Sequence, residues 1–357
     1  MRPTPPADNS RRQRPEGSQH AAVIHRLGLL PILLLAAACQ APALNAAKVY
    51  LGEGEPGRAR TQLERAVQEH PHSAEAYLLL GQVAAQQADF VLMDSSLRMA
   101  LSLDPRQGEV IAALRHEHWA RQHNTGVGLA RSHPPQYPAA LRAFANAVLA
   151  DPAPLEAWRG LAYVYVRLNS LDRAVQVYEH VLGSVPEDTT CLAAVGGLYL
   201  QQERHAEAAG ALSRLALLTP RDVATHINLG IALENLRQTP AARLEYERAL
   251  ALDAGSALAH YNLGNLCWHA GEFPAARTHY EQALALAPQD KDIRYNLAVT
   301  CVRLQDLARA VDLLEGLAQA HPEDASVWRE LGRLYARLGR PSESHAALDR
   351  AGSLSPP

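Results

Sequence analysis

Residues 257–290 read ALAHYNLGNLCWHAGEFPAARTHYEQALALAPQD, and the pattern returns along most of the chain. The stretch divides into two helices. Gly264 sits where a first helix must meet its neighbour closely, Gly271 ends that helix, and Pro274 stands near the start of a second. Tyr280, Ala283 and Leu284 share the inner face of the second helix, and Pro288 stops it. Shifted by 34 residues the template lands on Lys291 and Ala325, and shifted backwards on Val223, Thr189 and Leu155.

Numbering each unit from place 1 to place 34, nine units fill the chain from Gln40, the third carrying 13 extra residues. Place 8 is small in Ala47, Gly81, Ala162, Gly196, Gly230, Gly264, Ala298 and Gly332, and Arg115 breaks the rule. Place 20 is alanine in seven units, with Met93 and Ser344 the exceptions. Place 32 is proline everywhere except Ala254. Ser73, Asp188, Asp222, Ser256, Asp290 and Asp324 precede first helices as N-cap residues, each cap stabilising by about 1 kcal/mol. Gly54, Asn169, Gly271 and Gly339 stand where first helices end and tolerate a left-handed backbone.

This joint pattern resembles the tetratricopeptide repeat, a helix-turn-helix unit. The resemblance implies an all-α, right-handed superhelical solenoid of about nine units over residues 43–357. One unit cannot bury its own apolar face, so stability resides in the stack. In the third unit, residues 122–136, QHNTGVGLARSHPPQ, read as a widened inter-helix turn.

Hydrophobic residues make up 48% of the chain and charged ones 20%, as in a folded, helix-rich protein. A formal charge of −3 argues against nucleic acid as a partner. Residues 1–38 hold five arginines against Asp8 and Glu16, and their apolar run LGLLPILLLAAA at 27–38 is too short to span a bilayer. It fits the core of a secretory signal. Ala36, Ala37 and Ala38 before Cys39 resemble the lipobox of bacterial lipoproteins. That resemblance implies a signal peptide over 1–38, a lipidated Cys39 beginning a short tether at 39–42, and, with Gln40 rather than Asp following, an outer-membrane destination. The family prefers leucine where Ala36 stands. An ordinary cleaved signal, leaving a periplasmic protein, and a short buried helix are the alternatives.

Other candidate sites fail on their chemistry. Gly52, Gly54 and Gly57 spell a dinucleotide fingerprint, but it follows a helix, and Glu53 and Glu55 would repel a pyrophosphate. His116, His118, His123 and His133 lack cysteine or carboxylate partners at metal spacing. Cys191, Cys267 and Cys301 lie on first helices, where packing explains them. No catalytic constellation, cofactor, metal or small-molecule substrate is expected.

Proteins of this resemblance use the first-helix face as a binding groove. Place 6 is asparagine in Asn228, Asn262 and Asn296, a row able to hydrogen-bond the backbone of an extended peptide. Tyr261, Asn265 and Trp268 flank the row in one unit, Tyr295 and Arg303 in the next. Arg329, Arg333 and Arg337 make a basic stripe in the last. Asn265 and Asn296 hold the asparagine places of the chaperone-type carboxylate clamp, whereas Tyr261, Ser326 and Glu330 replace its basic residues. The expectation is a non-catalytic scaffold for protein or peptide partners at the outer membrane. The resemblance to pilus-biogenesis lipoproteins points to assembly of a type IV or tight-adherence pilus or a secretion machine. An adaptor for a polysaccharide-export or peptidoglycan enzyme is the alternative.

Overall fold

The computed structural model describes residues 42–354; Cys39 and the signal expected over 1–38 lie outside the described residues. The described residues form nine helix pairs, and the chain divides into two compact units between Gly108 and Glu109.

The first unit holds α1 (Pro42–Gly52), α2 (Pro56–Glu69), α3 (Ala74–Gln86) and α4 (Phe90–Leu103), followed by a 3-10 turn at Pro105–Gln107. Its core gathers Leu44, Ala47, Ala59, Leu63, Ala66 and Leu80. The second unit begins with α5 (Gly108–Arg131) and α6 (Tyr137–Ala150). It continues as α7 (Leu155–Arg167), α8 (Leu171–Ser184), α9 (Thr189–Gln201), α10 (His205–Leu218), α11 (Val223–Asn235) and α12 (Thr239–Leu252). Three more pairs complete it: α13 (Ala257–His269) with α14 (Phe273–Leu286), α15 (Lys291–Arg303) with α16 (Leu307–Ala320), and α17 (Ala325–Arg337) with α18 (Pro341–Leu354).

The helices start and stop where the repeat pattern predicts. Ser73, Asp188, Asp222, Ser256, Asp290 and Asp324 each accept a hydrogen bond from a backbone N–H of the first turn that follows. Gly54, Asn169, Gly271 and Gly339 adopt φ of +74°, +55°, +76° and +69°. Ala88, Glu203, Arg237 and Gln305 occupy the same left-handed position without the glycine that would make it easy.

Place 8 is a point of close approach. A Cβ on Gly264 would lie 2.6 Å from Tyr280, one on Gly230 2.4 Å from Tyr246, and one on Gly196 2.8 Å from Leu212. The partner is always the residue at place 24, so a large side chain on the second helix fills the space that a small one on the first leaves open. Ala174, Ala208, Ala242, Ala276 and Ala310 at place 20 are fully buried.

The third pair corrects the sequence reading. Residues 122–131 do not widen a turn: they continue α5, whose 24 residues compare with 13 in α7, α9 or α11, and the turn is confined to 132–136. Eleven of the 13 extra residues therefore extend the first helix at its N-terminal end, and two lengthen the turn, which has five residues against three between α13 and α14. Counted back from the end of α5, as Gly264 lies five residues before His269, the small residue facing the second helix is Gly126, whose Cβ would lie 2.9 Å from Phe144. Arg115 has no place-8 role. It reaches across to α6, where Nη1 donates to the Ala150 carbonyl at 3.0 Å. Phe144 is wedged against the next pair as well, 2.5 Å from where a Cβ on Gly160 would be.

Candidate functional site

Within the second unit, first helices of consecutive pairs touch directly, α9 with α11 and α11 with α13, so the stack closes up on the first-helix side. On that side α13, α14 and α15 enclose a cavity of about 280 Å³. Asn265, Trp268 and His269 line it from α13, Tyr280 from α14, and Tyr295, Asn296 and Val299 from α15.

A hydrogen-bond network forms its floor. The Tyr280 hydroxyl donates to Asn265 Oδ1 at 2.7 Å, and Asn296 Nδ2 donates to the same oxygen at 3.1 Å and to the Tyr261 hydroxyl at 3.3 Å. Burial raises the Tyr280 hydroxyl well above its usual range and keeps it a donor. Asn265 Oδ1 thus holds two donors, while Asn265 Nδ2 and Asn296 Oδ1 make no hydrogen bond among the described residues. The two amides therefore leave one donor and one acceptor, the two kinds of group that a peptide unit pairs with. Trp268 and Tyr295 supply apolar walls, and the exposed Arg303 guanidinium lies 6.0 Å over the Trp268 ring and 5.9 Å over Phe273.

The structure brings Tyr261, Asn265, Trp268, Tyr295 and Asn296 together, with Arg303 at the margin. The place-6 asparagines differ among themselves. Asn228 is half-buried, and Asn296 is committed to the network. Asn262 is 8% exposed, and its Nδ2 is buried with no partner. The register explains the contrast: the places in the preceding unit that supply Tyr261 and Asn265 to Asn296 hold Ile227 and Ile231 for Asn262. Of the basic stripe, Arg333 pairs with Glu330 and Arg337 Nη2 donates to Gln305 at 3.1 Å, while Arg329 is exposed.

The sequence reading missed a second cleft. About 610 Å³ in volume, it lies between α10, α11 and α12, lined by Leu217, His226, Leu229, Glu245, Arg248 and Leu252. His226 and Glu245 are both buried. His226 Nδ1 lies 2.7 Å from Glu245 Oε2, Nε2 lies 3.1 Å from the Pro220 carbonyl, and Arg248 binds the other carboxylate oxygen at 2.6 Å. The only sequence trace of this site is the recurrence of His226 as His260 one unit later.

The three cysteines on first helices are buried and unbridged. Burial pushes the Cys191 thiol up to about 11 and raises Cys267 and Cys301, the opposite of what an activated nucleophile needs. Among the described residues no three or more His, Cys, Asp or Glu side chains are grouped to hold a metal ion, and no helix is long and apolar enough to cross a membrane.

Among curated proteins none matches the chain in sequence. Among solved structures, a tetratricopeptide repeat protein from Parabacteroides merdae superposes with a TM-score of 0.52 at 16% identity, over 67% of this chain and 93% of that one. MamA from Desulfovibrio magneticus gives 0.44 at 20% identity, over 46% and 94%. YrrB, described as a TPR protein with an unusual peptide-binding site, gives 0.44 at 21%, over 51% and 94%. Identities this low speak to fold alone. One tetratricopeptide-repeat family profile matches residues 44–92, 136–189, 196–257 and 227–291, and a second matches 268–329 and 302–356. With the first profile alone spanning more than half of its length, and with the capped helix pairs and place-8 contacts that the repeat requires, the chain belongs to the tetratricopeptide repeat family.

Proposed function

We propose that this protein is a non-catalytic interaction scaffold whose groove at α13–α15 takes an extended segment of a protein partner. The observation that carries the reading is the pair of half-used amides, Asn265 and Asn296, offering a donor and an acceptor between the Trp268 and Tyr295 walls. A peptide group laid across them gains two hydrogen bonds, each netting about 0.5 to 1.5 kcal/mol, and an adjoining apolar or aromatic side chain fills the cavity. Arg303 and the exposed Arg329 favour an acidic residue further along the segment.

The scaffold works at the periplasmic face of a bacterial outer membrane, held by a lipid on Cys39, and serves assembly of an envelope machine such as a type IV or tight-adherence pilus or a secretion system. This part of the proposal rests on the apolar run and alanines before Cys39 and on the resemblance to pilus-biogenesis lipoproteins. The test is a pull-down from solubilised membranes with the intact chain, compared with Asn265→Ala. Recovery of pilus or secretion components that falls with the variant supports the reading. Equal recovery by both chains refutes the groove assignment.

A further inference from the structure

In several units the side chain at place 4 latches onto the carbonyl of the proline that closes the unit before. Trp158 Nε1 donates to Pro152 at 2.9 Å, Trp328 Nε1 donates to Pro322 at 3.0 Å, Arg294 donates to Pro288, and His226 Nε2 lies 3.1 Å from the Pro220 oxygen. His260 makes no such bond to the carbonyl of Ala254, which stands at the proline place. The His260 ring turns instead to His279 on α14, Nδ1 to Nδ1 at 3.2 Å, with 5.5 Å between ring centroids. One unit earlier the same two places hold His226 and Glu245, where both ring nitrogens are already occupied.

Two facing Nδ1 atoms have room for one proton between them, so at least one ring directs a lone pair at the other. Their separation is also the bite of a chelate: two metal–nitrogen bonds of about 2.0 to 2.1 Å spanning 3.2 Å subtend roughly 100°, within the range of tetrahedral and octahedral sites. We infer that His260 and His279 form a bidentate site for a divalent late-transition ion such as Cu2+, Ni2+ or Zn2+, bound through both Nδ1 atoms. Imidazole suits these ions, and Cu2+ heads the affinity order.

The surroundings fit. Binding requires both rings neutral with their protons on Nε2, and both residues are half-buried. Burial, with His260 and Arg243 adding to it, lowers the proton affinity of His279 and favours the neutral ligand form. Arg243 is itself held by Glu272 at 2.8 Å and Cys267 at 3.6 Å, and Glu247 acts on His279 with the opposite sign. Water completes the coordination, since no third protein ligand is grouped with the pair.

The test is calorimetric titration of the full chain, carrying Cys39→Ser to remove that thiol, with Cu2+ and separately with Zn2+. His260→Gln, His279→Gln and the exposed control His345→Ala are titrated in parallel. One equivalent tighter than all others is expected in the parent and in His345→Ala, and its loss in each of the other two. Electron spin-echo modulation of the parent with one equivalent of Cu2+ is expected to show two equatorial imidazoles, a readout independent of how the variants fold. A tightest equivalent that persists in both glutamine variants, or a spectrum with one imidazole or none, overturns the inference.

Discussion

Gly264→Ala isolates the contact on which the stack depends. The added Cβ would lie 2.6 Å from Tyr280 Cε1 and 2.7 Å from Cδ1, atoms of a rigid ring that is 1% exposed and tied through its hydroxyl to Asn265. The ring cannot swing aside without breaking that bond, so the helices must separate, at an overpacking cost of about 1 to 3 kcal/mol. Alanine returns about 1 kcal/mol through its higher helix propensity, leaving a net loss of roughly 0 to 2 kcal/mol. Gly128→Ala supplies the reference, because Gly128 is also helical and nothing lies within 4 Å of its Cβ position. It should stabilise by about 0.5 to 1 kcal/mol. Subtracting one from the other removes the shared propensity term and leaves the contact alone. Urea unfolding followed by circular dichroism gives both values where m is unchanged, and hydrogen exchange of the α13 and α14 amides localises the effect, since repeat arrays need not unfold in one step. Gly126→Ala belongs with Gly264→Ala, given Phe144 at 2.9 Å. If Gly264→Ala and Gly128→Ala stabilise alike, the close-approach argument is wrong.

Asn262→Leu should raise stability by about 1 to 2 kcal/mol, because it removes a buried donor without a partner, while weakening peptide binding if that donor serves the groove. A drop in the urea midpoint would refute the first half. Asp324 accepts from Ser326 and pairs with Lys291, and these hold its carboxyl well below the usual carboxylate range. Its folded-state value is depressed, so its stabilising contribution is present above about pH 4 and fades as pH falls toward the folded value. Asp324→Asn should therefore flatten the acid limb of the stability profile, and an unchanged limb would count against the ion pair. Cys39→Ser should abolish palmitate labelling and release the chain from membranes, and lipid retained by the variant would end the lipobox reading. Replacing Arg329, Arg333 and Arg337 by Gln should weaken partner binding mainly at low salt, checked by titration at two ionic strengths. A salt-independent loss would show that these arginines pack rather than steer.

The helix boundaries and the nine helix pairs were legible in the sequence because they depend on local chemistry repeated at a fixed interval. A cap such as Asp188, a left-handed glycine such as Gly271 and a small residue such as Gly264 act on backbone within a few residues or on the partner helix of the same unit. Repetition makes each a many-fold observation. The third pair escaped for the converse reason: an extra stretch has no repeat to compare with, and only packing against Phe144 shows Gly126 doing the work assigned to Arg115. Of the candidate groove residues, Asn265, Trp268, Tyr295 and Asn296 line one cavity, but the state of each amide was not legible in the sequence. Asn228, Asn262 and Asn296 hold one place in the repeat, yet what each amide meets is set by the unit before, Tyr261 and Asn265 in one case, Ile227 and Ile231 in another. The His260–His279 pair is the same lesson between helices, since it joins residues 19 places apart that only the packing of α13 on α14 brings together. Period and capping are written along the chain, whereas hydrogen-bond partners across the stack exist only once the units are brought together, and there the structure decided.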